Sequence, residues 1–124
     1  MRRLVGVYAA DGSVRGEIAY VVGRALGRAH CALCDVTHGR LTEKAQWREC
    51  RAGMPVPFDV FHRNDQPDAV RAAVGGRTPV VVAQTDGGIV ELLDGPALDA
   101  CAGSPDALAA ALEVAVARAG LRWR

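Results

Sequence analysis

Apolar and polar positions change their period several times along the chain, and each change marks an element. Leu4-Val5-Gly6-Val7-Tyr8-Ala9 is an unbroken apolar run with β-branched members, the pattern of a central strand covered on both faces. Asp11-Gly12-Ser13 turns the chain, and Ser13 stands where a helix N-cap belongs. Val14, Ile18, Val21, Val22, Ala25, Leu26 and Ala29 then recur at helical spacing, with Arg15, Glu17, Arg24 and Arg28 opposite, which predicts an amphipathic helix from about 14 to 29. Beyond Gly39, Thr42 opens a helix to about Ala52 that puts Trp47 and Cys50 on one face; Gly53 and Pro55 close it. Pro57-Phe58-Asp59-Val60-Phe61-His62 predicts a second strand, and Arg63-Asn64-Asp65-Gln66-Pro67 a turn into a short helix ending near Val74. After the break at Gly75-Gly76-Arg77, Thr78-Pro79-Val80-Val81-Val82-Ala83 predicts a third strand. Asp86-Gly87-Gly88 is a hairpin turn, and Ile89 to Leu93 returns. Gly95-Pro96 starts a turn or short helix that carries Cys101. An alanine-rich helix from Asp106 to Ala119 follows, capped by Ser104 ahead of Pro105, with Leu108, Leu112, Ala115 and Val116 inward.

This order of elements resembles the thioredoxin-like fold, in which a βαβ unit is followed by a helix, a β-hairpin and a last helix. The expected fold class is therefore α/β: a thioredoxin-like mixed sheet of about four strands with a helical insertion after the first helix. One domain spans 1–124, with the insertion at about 30–53. The most specific match is Thr78-Pro79, which resembles the proline that opens the third strand of thioredoxins; the resemblance implies a cis bond before it. Thioredoxins carry C-x-x-C at the start of the first helix, where this chain has Asp11-Gly12-Ser13-Val14. Here the C-x-x-C follows that helix, and 16 helical residues span about 24 Å. The Cys31 pair is thus expected at the edge of the sheet away from Pro79, and the thioredoxin redox mechanism does not carry over directly.

Composition narrows the picture. A chain of 124 residues, 50% hydrophobic and 23% charged, suits one packed domain. The formal net charge of +1 calls for neither a nucleic-acid partner nor an acidic membrane surface. Met1-Arg2-Arg3 and the apolar run behind it have the outline of a secretion signal, but the run is short and ends at Asp11-Gly12. No apolar run approaches the roughly 18 to 20 residues of a membrane-spanning helix. The expectation is a cytoplasmic protein, where thiols are kept reduced and a C-x-x-C points to metal binding or redox catalysis rather than a structural disulfide.

The candidate chemistry is concentrated in His30-Cys31-Ala32-Leu33-Cys34-Asp35-Val36-Thr37-His38-Gly39, which holds two of four cysteines and two of three histidines. Cys31 and Cys34 can converge on one tetrahedral ion, zinc or a similar transition metal, and His38 adds a nitrogen if a turn of helix follows Cys34. The favoured fourth ligand is Cys50, in the helix just before the second strand; His62 and Cys101 are expected at the opposite edge with Pro79 and Asp11. Three other readings stand beside this one. Cys31 and Cys34 form a thiol–disulfide couple with His30 or His38 lowering a thiol pKa; the insertion is an interaction module without metal; or the cysteines are small buried hydrophobes. A second candidate site is Asp11 and Ser13 at a helix N-terminus with His62 and Arg63 at a strand end, since open α/β sheets bind ligands at the carboxyl ends of parallel strands. Trp47 is expected in the core, and Trp123 as a frayed end or a contact for a protein partner or a second subunit. The block also resembles one in small bacterial proteins of uncharacterised function, which implies no activity. A phosphate-binding G-x-x-x-x-G-K-[ST] loop is absent, so nucleotide hydrolysis of that kind is rejected.

Overall fold

In the computed structural model the described residues are 1–8, 32–37 and 44–123. The predicted helix from 14 to 29, with Asp11 and Ser13 ahead of it, lies outside them. The elements are β1 (Arg3–Val7), α1 (Ala32–Thr37), α2 (Ala45–Ala52), β2 (Phe58–Phe61), α3 (Asp68–Val74), β3 (Val80–Thr85), β4 (Gly88–Leu93), α4 (Gly95–Asp99) and α5 (Pro105–Arg118). The strands form one mixed sheet in the order β2-β1-β3-β4. β1 pairs parallel with β2 and antiparallel with β3, and β3 with β4 form the expected antiparallel hairpin. This is a mixed α/β architecture. The Thr78-Pro79 bond is cis, the state the resemblance implies.

Side chains alternate across a strand, and the sheet divides its core accordingly. Leu4, Tyr8, Phe58, Val81 and Ala83 belong to one buried cluster, which also holds Leu33, Val36, Trp47, Leu98, Leu108 and Leu112 from α1, α2, α4 and α5. Val5, Val7, Val80 and Val82 point the other way and pack with Val70 and Val74 of α3. The unbroken apolar runs of β1 and β3 follow from this double coverage. α5 begins as predicted: the Ser104 hydroxyl accepts from the Ala107 N–H at 3.2 Å, and Pro105 stands in the first turn. α3 ends at Gly75 with φ of 60°, a left-handed stop that glycine takes without steric cost.

The predicted insertion is helical, and its course differs from expectation. α1 buries Leu33, Val36 and Thr37, positions spaced three and four apart on one helix face. Leu33 reaches over Gly6 in the centre of β1: a Cβ built on Gly6 would stand 2.9 Å from Leu33 Cδ2. At the other end of α1, the Thr37 hydroxyl lies 2.8 Å from the Tyr8 hydroxyl, and the Thr37 carbonyl accepts from the Lys44 N–H at 2.8 Å. Tyr8 is one residue beyond β1, and Val7, Phe61 and Val80 are register partners, so Tyr8, His62 and Pro79 share one end of the sheet. α1 therefore lies across the sheet and ends on the side of Pro79. Cys31, whose pair with Cys34 is expected at the far edge, lies outside the described residues; within α1 it is the apolar face that meets the sheet, over the space left by Gly6.

Candidate functional site

The described part of the candidate site is the end of the sheet where β1 and β2 finish. Their parallel pairing sets Tyr8 beside His62, with the Tyr8 N–H donating to the Phe61 carbonyl at 2.9 Å. The two rings meet edge to face, centroids 5.3 Å apart and planes at 62°. Asp65 closes the turn after β2 by folding back on His62: one carboxylate oxygen accepts from the His62 main-chain N–H at 2.6 Å, and the other lies 3.3 Å from the ring Nδ1. A proton on Nδ1 is the tautomer that bonds to this carboxylate. The turn is held by Gln66, buried, whose side-chain amide donates to the Arg63 carbonyl at 2.9 Å, and by the Arg71 guanidinium, which donates to the Arg63 and Asn64 carbonyls. Arg63 itself is exposed and contributes its carbonyl to this turn.

Through Thr37 and Tyr8, the helix of the cysteine block is coupled to this end. The hydroxyl pair is fully buried on the Thr37 side and nearly so on the Tyr8 side. Two regions that the sequence separates, the end of α1 and the His62 strand end, thus meet at Tyr8. Cys34 lies in α1, which begins at the residue after Cys31 and ends at the residue before His38. Cys31 and His38, like Asp11 and Ser13, lie outside the described residues. Among the described residues no three His, Cys, Asp or Glu side chains gather into a group able to hold a metal ion.

Cys50 sits elsewhere. Its half-buried thiol donates to the Pro105 carbonyl at 3.8 Å, across the contact between α2 and α5, in a groove lined by Glu49, Met54, Ala109, Glu113 and Trp123. Burial raises the Cys50 pKa, and the Asp106 carboxylate raises it further. Cys101 is buried just after α4, which leaves β4 at the Tyr8 end of the sheet; its thiol donates to the Ala97 carbonyl at 3.6 Å, and burial raises its pKa. Both thiols are protonated at neutral pH, the inert state of cysteine. Trp47 is fully buried, its ring edge-on to Phe58 at 4.9 Å, as expected of a core residue. Trp123 packs against the larger core cluster and borders the Cys50 groove.

Tyr8, Thr37 and Asp65 join the site without having been singled out in the sequence. Asp65 carried a usable signal, an aspartate three residues after a histidine at a strand end, where its side chain can cap the turn. Tyr8 and Thr37 are 29 residues apart and carried none. No helix among the described residues is long and apolar enough to cross a membrane. Comparison with protein-family models, curated proteins and solved structures finds no match to this chain.

Proposed function

We propose that this protein binds a transition metal ion, zinc in the first instance, through Cys31, Cys34 and His38, on a sheet of thioredoxin-like arrangement. The observation that carries the reading is the extent of α1. The helix runs from Ala32 through Thr37, so a turn of helix follows Cys34, the condition under which His38 falls within reach of the same ion. A C-x-x-C pair with a histidine one turn on supplies three soft or borderline donors from eight residues. The strand order and the parallel β1–β2 pair beside an antiparallel hairpin support the thioredoxin-like arrangement. The ion's role, as support for the insertion or as a sensed ligand, follows from how far binding changes the stability of the chain.

A second reading, thiol–disulfide exchange by Cys31 and Cys34, is favoured by one feature: α1 begins at the residue after Cys31, and a helix start lowers thiol pKa values. One experiment separates the two. Protein purified without chelator is analysed for metal and for free thiols, alongside Cys31→Ser and Cys34→Ser. Stoichiometric zinc that both substitutions abolish is the expected result. A metal-free protein whose two thiols titrate reversibly as one couple overturns the metal reading in favour of the second.

A further inference from the structure

We propose that the outer edge of β4, with the face of α5 beside it, is a two-fold interface between two copies of this chain that joins their sheets edge to edge. The proposal does not depend on the ion. β4 ends the strand order and pairs with β3 alone; among the described residues no segment pairs with its other side. An open strand edge is a template for another strand. The six residues of β4 include no proline or lysine, and their one charge, Glu91, meets Arg77 at 3.6 Å on the α3 side of the sheet. On the other face, β4 and α5 border a groove of about 690 Å³ lined by Leu92, Asp94, Ala111, Val114, Ala115 and Arg118. The last four recur at helical spacing as one stripe of α5. Val114, within it, is 53% exposed and is the only large hydrophobic side chain that stands exposed among the described residues.

Direction and charge identify the occupant as a second copy. α5 starts at the Tyr8 end of the sheet, where Lys44 bonds to both Thr37 and Gly103. Beyond its last turn, Trp123 reaches Met54 and Pro55, close to Pro57, which bonds to Leu4 at the opposite end. Its 14 residues span about 21 Å, against about 20 Å for the strand, so α5 runs the length of β4 in the opposite direction. Arg118 therefore stands where β4 starts and Asp94 where it finishes. Antiparallel pairing of β4 with its copy, about an axis perpendicular to the sheet, brings the finish of one strand beside the start of the other and keeps both α5 helices on one face. Each Arg118 then faces the Asp94 of the other copy, and the two Val114 stripes meet between these pairs. Asp94 caps α4 through one carboxylate oxygen, leaving the other to accept, and Arg118 has no ion-pair partner among the described residues. A wholly acidic or wholly basic partner matches one end of this groove; a copy of the same chain matches both.

The test is sedimentation equilibrium of the full chain over a range of concentrations, with thermal midpoints to verify folding. The parent is expected to dimerise. Val114→Glu, at an exposed position, should abolish the dimer with little change in midpoint. Arg118→Asp and Asp94→Arg, each alone, set like charges against each other twice across the two-fold and should weaken the dimer by about tenfold or more. Mixed in equal amounts, these two variants regain both opposite-charge pairs and should form a heterodimer of near-parental affinity, a result that damage to the fold cannot produce. A parent that stays monomeric, or one that grows beyond the dimer by joining β4 to a different edge, overturns the proposal. So does a dimer indifferent to Val114→Glu, or a mixture of the two charge variants that associates no better than either alone.

Discussion

Gly6 is the position where the placement of α1 can be tested most directly. An alanine Cβ there would stand 2.9 Å from Leu33 Cδ2 and 3.1 Å from Phe58 Cε1, against roughly 3.5–4.0 Å for relaxed carbon pairs. Neither neighbour has free room, since Leu33 is fully buried and the Phe58 ring is braced by Trp47. Overpacking of this kind costs about 1–3 kcal/mol. Removing a glycine from a strand returns about 0.5–1 kcal/mol, so Gly6→Ala is expected to destabilise by about 1 kcal/mol, within a span of roughly 0 to 2.5 kcal/mol. Leu33→Ala alone empties a fully buried site and costs about 2–5 kcal/mol.

The two substitutions share one contact, so their effects should not add. With Leu33 truncated, the nearest atom to the new methyl is gone and only the Phe58 ring stays close, so Gly6→Ala in that background should cost less. The coupling energy is then a substantial part of the cost of the single change, on the order of 1 kcal/mol. Urea unfolding monitored by the fluorescence of Trp47, buried beside Phe58 in the same cluster, supplies all four stabilities. A stabilising Gly6→Ala, or a cost that is the same with and without the Leu33 side chain, would refute the docking of α1 over β1.

Tyr8→Phe removes one hydroxyl from the buried pair with Thr37 and is expected to cost about 1–3 kcal/mol by urea unfolding; Thr37→Val should then cost less once Tyr8 is phenylalanine. Cys50 should alkylate slowly in the folded chain near neutral pH, because burial and then Asp106 raise its pKa; Asp106→Asn should speed the reaction only modestly, since burial remains. For Cys50 and Cys101 the folded pKa lies above the ordinary value, so their contribution to stability is complete below the unfolded pKa and is lost as pH rises from about 8.5 through the folded value. Unfolding midpoints across that range should fall less steeply for Cys101→Ala than for the parent. Ser104→Ala should cost about 0.5–2 kcal/mol through loss of the α5 cap, measured as a shift in thermal midpoint.

The elements legible in the sequence are those whose pattern is local. α5 carried both a period and a cap, β1 and β3 were apolar runs long enough to be strands buried on both faces, and Asp86-Gly87-Gly88 announced the hairpin; each stands within a residue or two of expectation. The limits of α2 were less clear, with Ala45 rather than Thr42 near its start. What the sequence could not show is how the insertion returns to the sheet. That depends on Gly6, which reads locally as a weak residue in a strand, and which acts here as the hollow that receives Leu33. The sheet-edge argument for Cys50 treated the block as continuing from where a straight helix would leave it; it had no means of foreseeing that Leu33, Val36 and Thr37 set α1 across β1.

On the proposed metal reading, this docking couples ion binding to folding. α1 has six residues, well below the 12 to 15 or so at which an isolated helix becomes even marginal in water, so it is helical because it is docked. Its anchors are the Leu33 and Val36 side chains, the Thr37–Tyr8 hydroxyl contact and the Lys44–Thr37 backbone bond, with the Lys44 ammonium in turn donating to the Gly103 carbonyl at 2.7 Å. If the proposed ion binds the docked chain alone, an ion at about 100 times its dissociation constant adds about 2.7 kcal/mol to the unfolding free energy. On that reading the Gly6→Ala chain, whose docking is weakened, should bind zinc less tightly by the free energy that undocking takes from the site, although the nearest described neighbours of position 6 are Leu33 and Phe58. Zinc affinity unchanged in Gly6→Ala, with stability reduced as calculated, would mean that the ligands assemble without the sheet, and the ion would then be a staple within the insertion rather than a link between the insertion and the end of β1.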